Sequence, residues 1–301
     1  MSPMKPVTAI LVAYNSAGVI AQALASLCKE PQIEKIIVVD NCSVDDTCEL
    51  IRKEFPSVEL IENPKNDGFG RANNIGLGKT RTEFALLVNP DAVLQEGALQ
   101  RMLEAASRYN DAAILAPELA DAQGEPHHSY KRNVFDREKQ RDNAIAPSGD
   151  LCADFLSGAV WLLNMKHLKT IGFFDPAIFL YYEDDDLCLR VRKAGYSLVL
   201  VQGAHAMHLM GASVATPKSP EKAAAAEAFK QKQMLWSRLY IEEKYHGTKA
   251  AKRLANKLHF NYSLRAAFYM AVGNSEKYNR YRGRLNGISE FTEKQRPAQA
   301  A

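Results

Sequence analysis

The densest chemistry in this chain is Tyr181–Asp186, reading Tyr-Tyr-Glu-Asp-Asp-Asp and followed by Leu-Cys-Leu-Arg. Four consecutive acids directly behind the apolar run Ala177–Leu180 are costly unless they bind a cation, exchange protons or face water. A carboxyl crowded by like charges is raised in pKa and becomes a usable general base near neutral pH. The same run also suits the start of a helix, where acids meet the positive end of the helix dipole. Two further acids close strand-like runs. Asp40 ends Lys-Ile-Ile-Val-Val-Asp and has the acceptor oxygens to take a hydrogen bond from a nucleobase imide or a ribose hydroxyl. Asp91 ends Leu-Val-Asn-Pro-Asp. Pro90 fixes the backbone before it, so that the acid projects from the strand end as a ligand for a hard cation on a diphosphate. Taken singly, each acid is equally well a turn residue.

These acids need a scaffold, and the first hundred residues alternate strand and helix patterns. Val7–Ala13, Lys35–Asp40, Val58–Ile61 and Phe84–Val88 read as strands; Gly18–Lys29, Asp45–Phe55, Phe69–Lys79 and Glu96–Tyr109 read as helices. Asp45 is the expected N-cap of the second helix. Such alternation predicts an α/β fold with a mostly parallel central sheet covered on both faces. Ligands in such sheets bind beyond the carboxyl ends of the strands. That rule singles out Ala13-Tyr14-Asn15, Asp40-Asn41 and Asn89-Pro90-Asp91. Asp121–Asp150 is polar, with His127, His128, Lys131, Arg132, Arg137, Lys139 and Arg141, and its length fits a lid or a substrate-binding loop as well as plain surface. Thr216–Pro220, with two prolines, reads as a hinge. Beyond it, Glu221–Tyr245 and Thr248–Val272 read as helices. The expected division is a domain over 1–215 and a basic helical appendage over 216–301.

Composition narrows the classes. The 301 residues are ordinary globular material with a net charge of +3. Between Lys244 and Arg284 stand ten Lys or Arg against one acid, Glu276, so the basic character lies in the tail. Bases and aromatics alternate there, a pattern for lying on an anionic membrane surface or for packing on protein, including a second copy of the chain. No nucleic-acid-binding module is visible. The five cysteines form no close pair, which fits free thiols in a reducing cytoplasm. Met1–Pro6 leads straight into a strand-like run, so no signal peptide is expected, and no apolar run approaches the ~20 residues of a membrane span. Gly68-Phe69-Gly70 is not a dinucleotide fingerprint, because it does not follow the first strand and Asn73 stands where a third glycine belongs.

Several motifs together resemble the inverting nucleotide-sugar glycosyltransferases of family 2, GT-A fold, in their rhamnosyltransferase-like branch. The resemblance rests on Val12-Ala13-Tyr14-Asn15, Val39-Asp40-Asn41-Cys42-Ser43-Val44-Asp45, Asn66-Asp67-Gly68-Phe69-Gly70-Arg71 through Gly76, and Leu87-Val88-Asn89-Pro90-Asp91-Ala92. It continues through Leu156-Ser157-Gly158-Ala159, Gly172-Phe173-Phe174-Asp175, Tyr182-Glu183-Asp184-Asp185-Asp186-Leu187-Cys188-Leu189-Arg190 and His208-Leu209-Met210-Gly211-Ala212-Ser213. These cover about Val7–Ser213 in the family's order.

The resemblance implies a GT-A, Rossmann-like fold and a role for each motif. Ala13, Tyr14, Asn15, Asp40, Asn41, Gly68, Arg71, Asn89 and Asp91 would hold the nucleotide sugar, with Asp40 on a uracil or thymine imide. Asp91 and His208 would ligate a divalent cation, Mn²⁺ or Mg²⁺; Asn89 replaces the first acid of the family's Asp-x-Asp element, and His205 is the alternative histidine. Asp184 would be the general base, with Asp185 as its rival because an acid there departs from the family pattern; Glu183 and Asp186 would orient the site or touch sugar hydroxyls. The implied function is transfer of one sugar, rhamnose from dTDP-rhamnose, to a saccharide or lipid-linked saccharide in surface polysaccharide assembly. The expected location is the cytoplasm, peripheral on the inner face of the plasma membrane. A UDP-hexose donor, or a catalytically silent sugar-nucleotide binder in an assembly, are the rival expectations. Processive synthases of the family carry Gln-x-x-Arg-Trp; here Trp236 follows Gln233-Met234-Leu235 without the arginine, which implies single addition.

Overall fold

The computed structural model describes residues 5–127, 129–131, 148–209, 211–212 and 219–293. Two compact units emerge: Met1–Asp175 with Asp184–Ala215, and Pro176–Glu183 with Thr216–Ala301.

The first unit opens with β1 (Val7–Ala13), α1 (Ile20–Leu27), β2 (Ile33–Asp40), α2 (Thr47–Glu54), β3 (Glu59–Glu62), α3 (Phe69–Lys79), β4 (Phe84–Val88), β5 (Ala92–Leu94) and α4 (Ala98–Arg108). It continues with β6 (Ala112–Ala120), the short β7 (Pro126–His127), β8 (Tyr130–Lys131), β9 (Leu151–Ala153) and β10 (Phe155–Leu156). It closes with β11 (Val160–Asn164), α5 (Met165–Ile171), α6 (Glu183–Lys193) and β12 (Ser197–His208). The main sheet runs β3-β2-β1-β4-β11-β6-β12-β5. Strands β3, β2, β1 and β4 are parallel, β11 reverses direction against β4 and β6, and β12 is parallel to β6. Every residue of β1 and β4 is buried, as strands covered on both faces must be. The fold is therefore mixed α/β, with a largely parallel sheet between helices. Gly76 lets α3 close on β1: a Cβ there would stand 2.5 Å from Ile10 Cγ2, well inside contact distance.

The second unit is a helical bundle of α7 (Pro220–His246), α8 (Thr248–Ala271) and α9 (Ser275–Thr292) around Leu235, Trp236, Leu239, Ala251, Ala255, Leu258, Ile288 and Phe291. Ser219 caps α7 by accepting from the Lys222 N–H, and Asn274 caps α9 through the Lys277 N–H at 3.0 Å. The segment Pro176–Glu183 packs here too: Ile178 and Tyr182 meet Ile241, and Ser237 Oγ donates to the Leu180 carbonyl at 3.0 Å.

Three expectations change. Helix α9 is a third helix of the basic helical appendage, beyond the two that the sequence pattern marks. Its interior glycines each disfavour a helix by about 1 kcal/mol, yet they let α7 approach: a Cβ on Gly283 would overlap the Ala228 carbonyl, and one on Gly287 would stand 2.5 Å from the Lys232 carbonyl. Asp45 is not the N-cap of α2; Asp46 holds that position without a side-chain bond, while Asp45 accepts from the Thr47 N–H at 3.2 Å and the Ala17 N–H at 3.1 Å. The Asp121–Asp150 segment is not wholly irregular, since β7 pairs with β6 and β8 with β10. His128, Arg132, Arg137, Lys139, Arg141 and most of the Thr216–Pro220 hinge lie outside the described residues, and Pro220 opens α7.

Candidate active site

The parallel strands deliver their carboxyl ends side by side. Ala13 pairs with Asp40 in register, and the Asn41 N–H donates to the Ala13 carbonyl at 2.7 Å. Asn15 and Cys42 take left-handed backbone (φ 51° and 69°), which turns both loops sharply at the sheet edge. Side chains then staple them: Asn15 N–H to Ser43 Oγ at 2.8 Å, Val44 N–H to Asn15 Oδ1 at 2.8 Å, and Ser43 N–H to Asp40 Oδ2 at 2.9 Å. Asp40 is buried, and its Oδ1 accepts no N–H or O–H bond among the described residues. Burial, with the Asp40 carboxylate next, pushes the neighbouring Cys48 thiol up to about 12. Asn41 is committed to the third loop: its amide donates to Asn66 Oδ1 and the Gly68 carbonyl and accepts from Asn63 and the Asp67 N–H. Gly68, at φ 83°, is the N-cap residue of α3, and Arg71 in the first turn lies 3.9 Å from Asp67.

A second cluster joins β4 to β12. Asp91 is buried just before β5, and β5 pairs antiparallel with β12 so that Ala92 faces His208. The Leu209 N–H donates to the Asp91 carbonyl at 2.9 Å, and His208 Nε2 stands 3.4 Å from Asp91 Oδ1. His205 faces Glu118 instead, with Nδ1 3.6 Å from Oε2. Asn89 Oδ1 is buried and accepts nothing among the described residues. One carboxylate and one imidazole are two of the ligands an N/O-binding divalent ion takes. Among the described residues no group of three or more His, Cys, Asp or Glu is assembled for a metal. The pair thus fits an ion completed by substrate phosphates and water, as Mg²⁺ and Mn²⁺ sites on nucleotides are.

The acidic run forms the start of α6. Glu183, Asp185 and Asp186 are buried, whereas Asp184 keeps partial exposure. Asp184 Oδ1 accepts from the Asp185 N–H at 2.9 Å. Gly158 lies against it: a Cβ there would sit 3.4 Å from Asp184 Cβ, so this position leaves the carboxylate uncovered. The same loop reaches the β4 end, because the Asn89 N–H donates to the Ala159 carbonyl at 2.8 Å. Asp186 is fully buried and pairs with Arg190 Nε at 2.8 Å. Tyr181 and Tyr182, immediately before α6, both take left-handed backbone (φ 66° and 71°), a conformation costing roughly 1–2 kcal/mol each; strain of this kind collects at functional sites.

Supporting residues that motif reading quotes without a role now acquire one. The Arg190 guanidinium donates to the carbonyls of Ile171, Gly172 and Phe173. Asn74 clasps Phe174 reciprocally, Nδ2 to its carbonyl and Oδ1 from its N–H, each 2.9 Å. Trp161 stacks on Phe174, which also meets Phe69 edge-on. The sequence signal was the Gly-Phe-Phe-Asp motif beside an Asn on a glycine-rich helix. The geometry brings Ala13, Tyr14, Asn15, Asp40 and Asn41 together with the Gly68–Arg71 turn. It sets Asn89 and Asp91 with His208, and Asp184 beside Gly158. Met210 and Ser213 lie outside the described residues.

Comparison with known proteins bears on the family and the fold. The model of Glycosyl transferase family 2 matches residues 8–172. The N-acetylglucosaminyl-diphospho-decaprenol L-rhamnosyltransferase of Mycobacterium tuberculosis is 27% identical over 239 residues, covering 69% of this chain and 76% of that protein. The Escherichia coli rhamnosyltransferase WbbL is 25% identical over 224 residues, 66% of this chain and 81% of its own. In fold, the mannosyltransferase PcManGT of Pyrobaculum calidifontis, solved with GDP-Man and Mn²⁺, superposes with a TM-score of 0.56 at 13% identity, over 97% of this chain and 88% of that one. A family match spanning more than half of the 301 residues shows that this chain belongs to glycosyltransferase family 2, a nucleotide-sugar-dependent enzyme of the GT-A fold that is similar to rhamnosyltransferases.

Proposed function

We propose that the chain transfers a single sugar, rhamnose from dTDP-rhamnose, with inversion, to a saccharide or lipid-linked saccharide acceptor in surface polysaccharide assembly. The observation that carries the mechanism is Asp184, the one partly exposed acid of the run, set against a glycine that leaves it uncovered. The nucleotide base lies toward Asp40, whose buried Oδ1 suits a pyrimidine imide N–H. Ala13, Tyr14 and Asn15 supply the loop on one side, and Gly68 and Arg71 at the start of α3 supply donors and positive charge for the diphosphate. Asn41 holds these loops to each other. Asp91 and His208 would hold the divalent cation, Mn²⁺ or Mg²⁺, with Asn89 beside them; when bound, such an ion neutralises charge on a leaving diphosphate.

Asp184 accepts the proton of the acceptor hydroxyl as its oxygen bonds to the anomeric carbon. The bond from that carbon to the phosphate oxygen breaks on the opposite face. One displacement inverts the centre, and no protein nucleophile is needed. Glu183 and Asp186 are buried, and Asp186 acts through Arg190. The names of the M. tuberculosis and E. coli relatives support rhamnose, and the M. tuberculosis name alone supports a lipid-linked acceptor.

Asp184→Asn tests the reading. It should bind donor as the parent does while transfer falls by about 10²–10⁴-fold, the usual worth of a positioned base. Full transfer by that variant would remove Asp184 from the mechanism. An intact chain that binds donor yet transfers to no acceptor would favour a silent binding subunit.

A further inference from the structure

The tail's cations and aromatics separate into two sets on the folded bundle. Tyr262, Tyr269 and Tyr281 are drawn together between α8 and α9, with Arg265, Lys277 and Arg284 over their rings. A second set faces away from the bundle. Lys249, Arg253, Lys257, Phe260, Leu264 and Phe268 follow one another at steps of four, four, three, four and four along α8, which aligns them in one stripe about 30 Å long. All six are exposed, and Phe260, Leu264 and Phe268 remain 65%, 58% and 58% accessible, against a buried opposite face of Ala251, Ala255, Leu258 and Ala266. Met270 and Val272 extend the exposed apolar end. Large side chains are seldom left so open in a row without a partner.

We propose that this stripe of α8 docks on an anionic lipid surface, with Phe260, Leu264 and Phe268 entering the headgroup layer and Lys249, Arg253 and Lys257 on the lipid phosphates. Charge selects this occupant. Helix α8 carries five Lys or Arg and no Asp or Glu, so a second copy of the helix offers those cations nothing of opposite sign. Shape argues the same way. At these exposures the apolar side chains stand out as a ridge, which a soft headgroup layer accepts and which presents a protein no pocket. The arrangement is that of an interfacial helix, apolar side chains to the lipid and cations to its anionic surface. It deepens the acceptor reading above, on which it rests for its purpose: an enzyme acting on a lipid-linked saccharide gains from residence where that lipid lies.

The test is co-sedimentation of the full chain with phosphatidylcholine vesicles, with and without roughly 30% phosphatidylglycerol. The parent should pellet with the anionic vesicles only and be released by about 0.5 M salt. Each of Lys249→Glu, Arg253→Glu and Lys257→Glu should weaken partitioning by at least about fivefold. The triple variant Phe260→Ser/Leu264→Ser/Phe268→Ser should stay in the supernatant while remaining helical and keeping nucleotide-sugar binding by calorimetry. That last control separates failure of this surface from failure of the transferase reading. Equal pelleting by parent and triple variant overturns the docking surface. So does a parent that ignores both vesicles, including one whose dimer, seen by light scattering, falls to monomer on the triple substitution.

Discussion

His205 and His208 stand three residues apart on one strand, yet only His208 Nε2 comes within 3.4 Å of Asp91, because β5 pairs with the end of β12 there. His208→Ala should therefore raise the Mn²⁺ concentration needed for half-maximal transfer by at least about tenfold, the scale that losing even a supporting partner carries. His205→Ala, whose imidazole faces Glu118 instead, should stay within about twofold. The reverse order of effects in a metal titration would exchange their roles. A second prediction concerns Cys48. Its thiol is pushed up to about 12, by burial first and then by Asp40, so at about pH 8 its thiolate fraction lies far below that of an ordinary cysteine. Maleimide should label exposed Cys28 and Cys152 well ahead of Cys48, as read by peptide mass spectrometry; labelling of Cys48 as early as Cys28 would contradict the raised thiol. Sequence reasoning left Asp184 and Asp185 open. In the structure Asp185 is buried and Asp184 partly exposed, the difference that supports the choice of Asp184 proposed above.

Elements place these residues, and two contacts between elements deserve substitution. Arg190 joins α6 to three successive carbonyls before Phe174 and neutralises buried Asp186. Arg190→Lys keeps the charge but loses the planar fork. It should lower kcat by about tenfold through misplaced acids while leaving KM for donor unchanged, since a small displacement of a catalytic group is enough for such a loss. A rise in donor KM at constant kcat would place Arg190 on the substrate instead. In the bundle, Gly283→Val puts side-chain bulk against the Ala228 backbone. It should destabilise that unit by about 1–3 kcal/mol, seen as a lowered first transition in thermal unfolding; an unchanged transition would mean α7 and α9 can separate. Strands β1, β2 and β4 were legible within one or two residues because buried parallel strands write continuous apolar runs. Helix α9 was not, because glycines that serve close packing read as helix breakers until the partner helix is seen. The reversal at β11 was equally invisible, since a five-residue apolar strand carries no mark of its direction.

At the scale of the whole molecule, the chemistry is carried by strand ends spread along the chain from Ala13 to His208. Ala13 meets Asp40 through parallel pairing, and Asp91 meets His208 through the antiparallel β5–β12 edge. The individual motifs were readable, because loops at strand ends carry unusual residues: an Asn at positive φ, a proline before an acid, a glycine opening a helix. Their pairing was not readable from periodicity, since it depends on sheet order and on which strands reverse direction. The central claim is that these ends form one metal-dependent donor site. Calorimetric titration of dTDP-rhamnose, UDP-hexoses and GDP-sugars, with Mn²⁺ and with chelator, on the parent and on Asp91→Asn, tests it most directly. Tight binding of dTDP-rhamnose that requires Mn²⁺ and is lost in Asp91→Asn is the expected result. Binding of equal strength in chelator, or no binding of any nucleotide sugar, would contradict it.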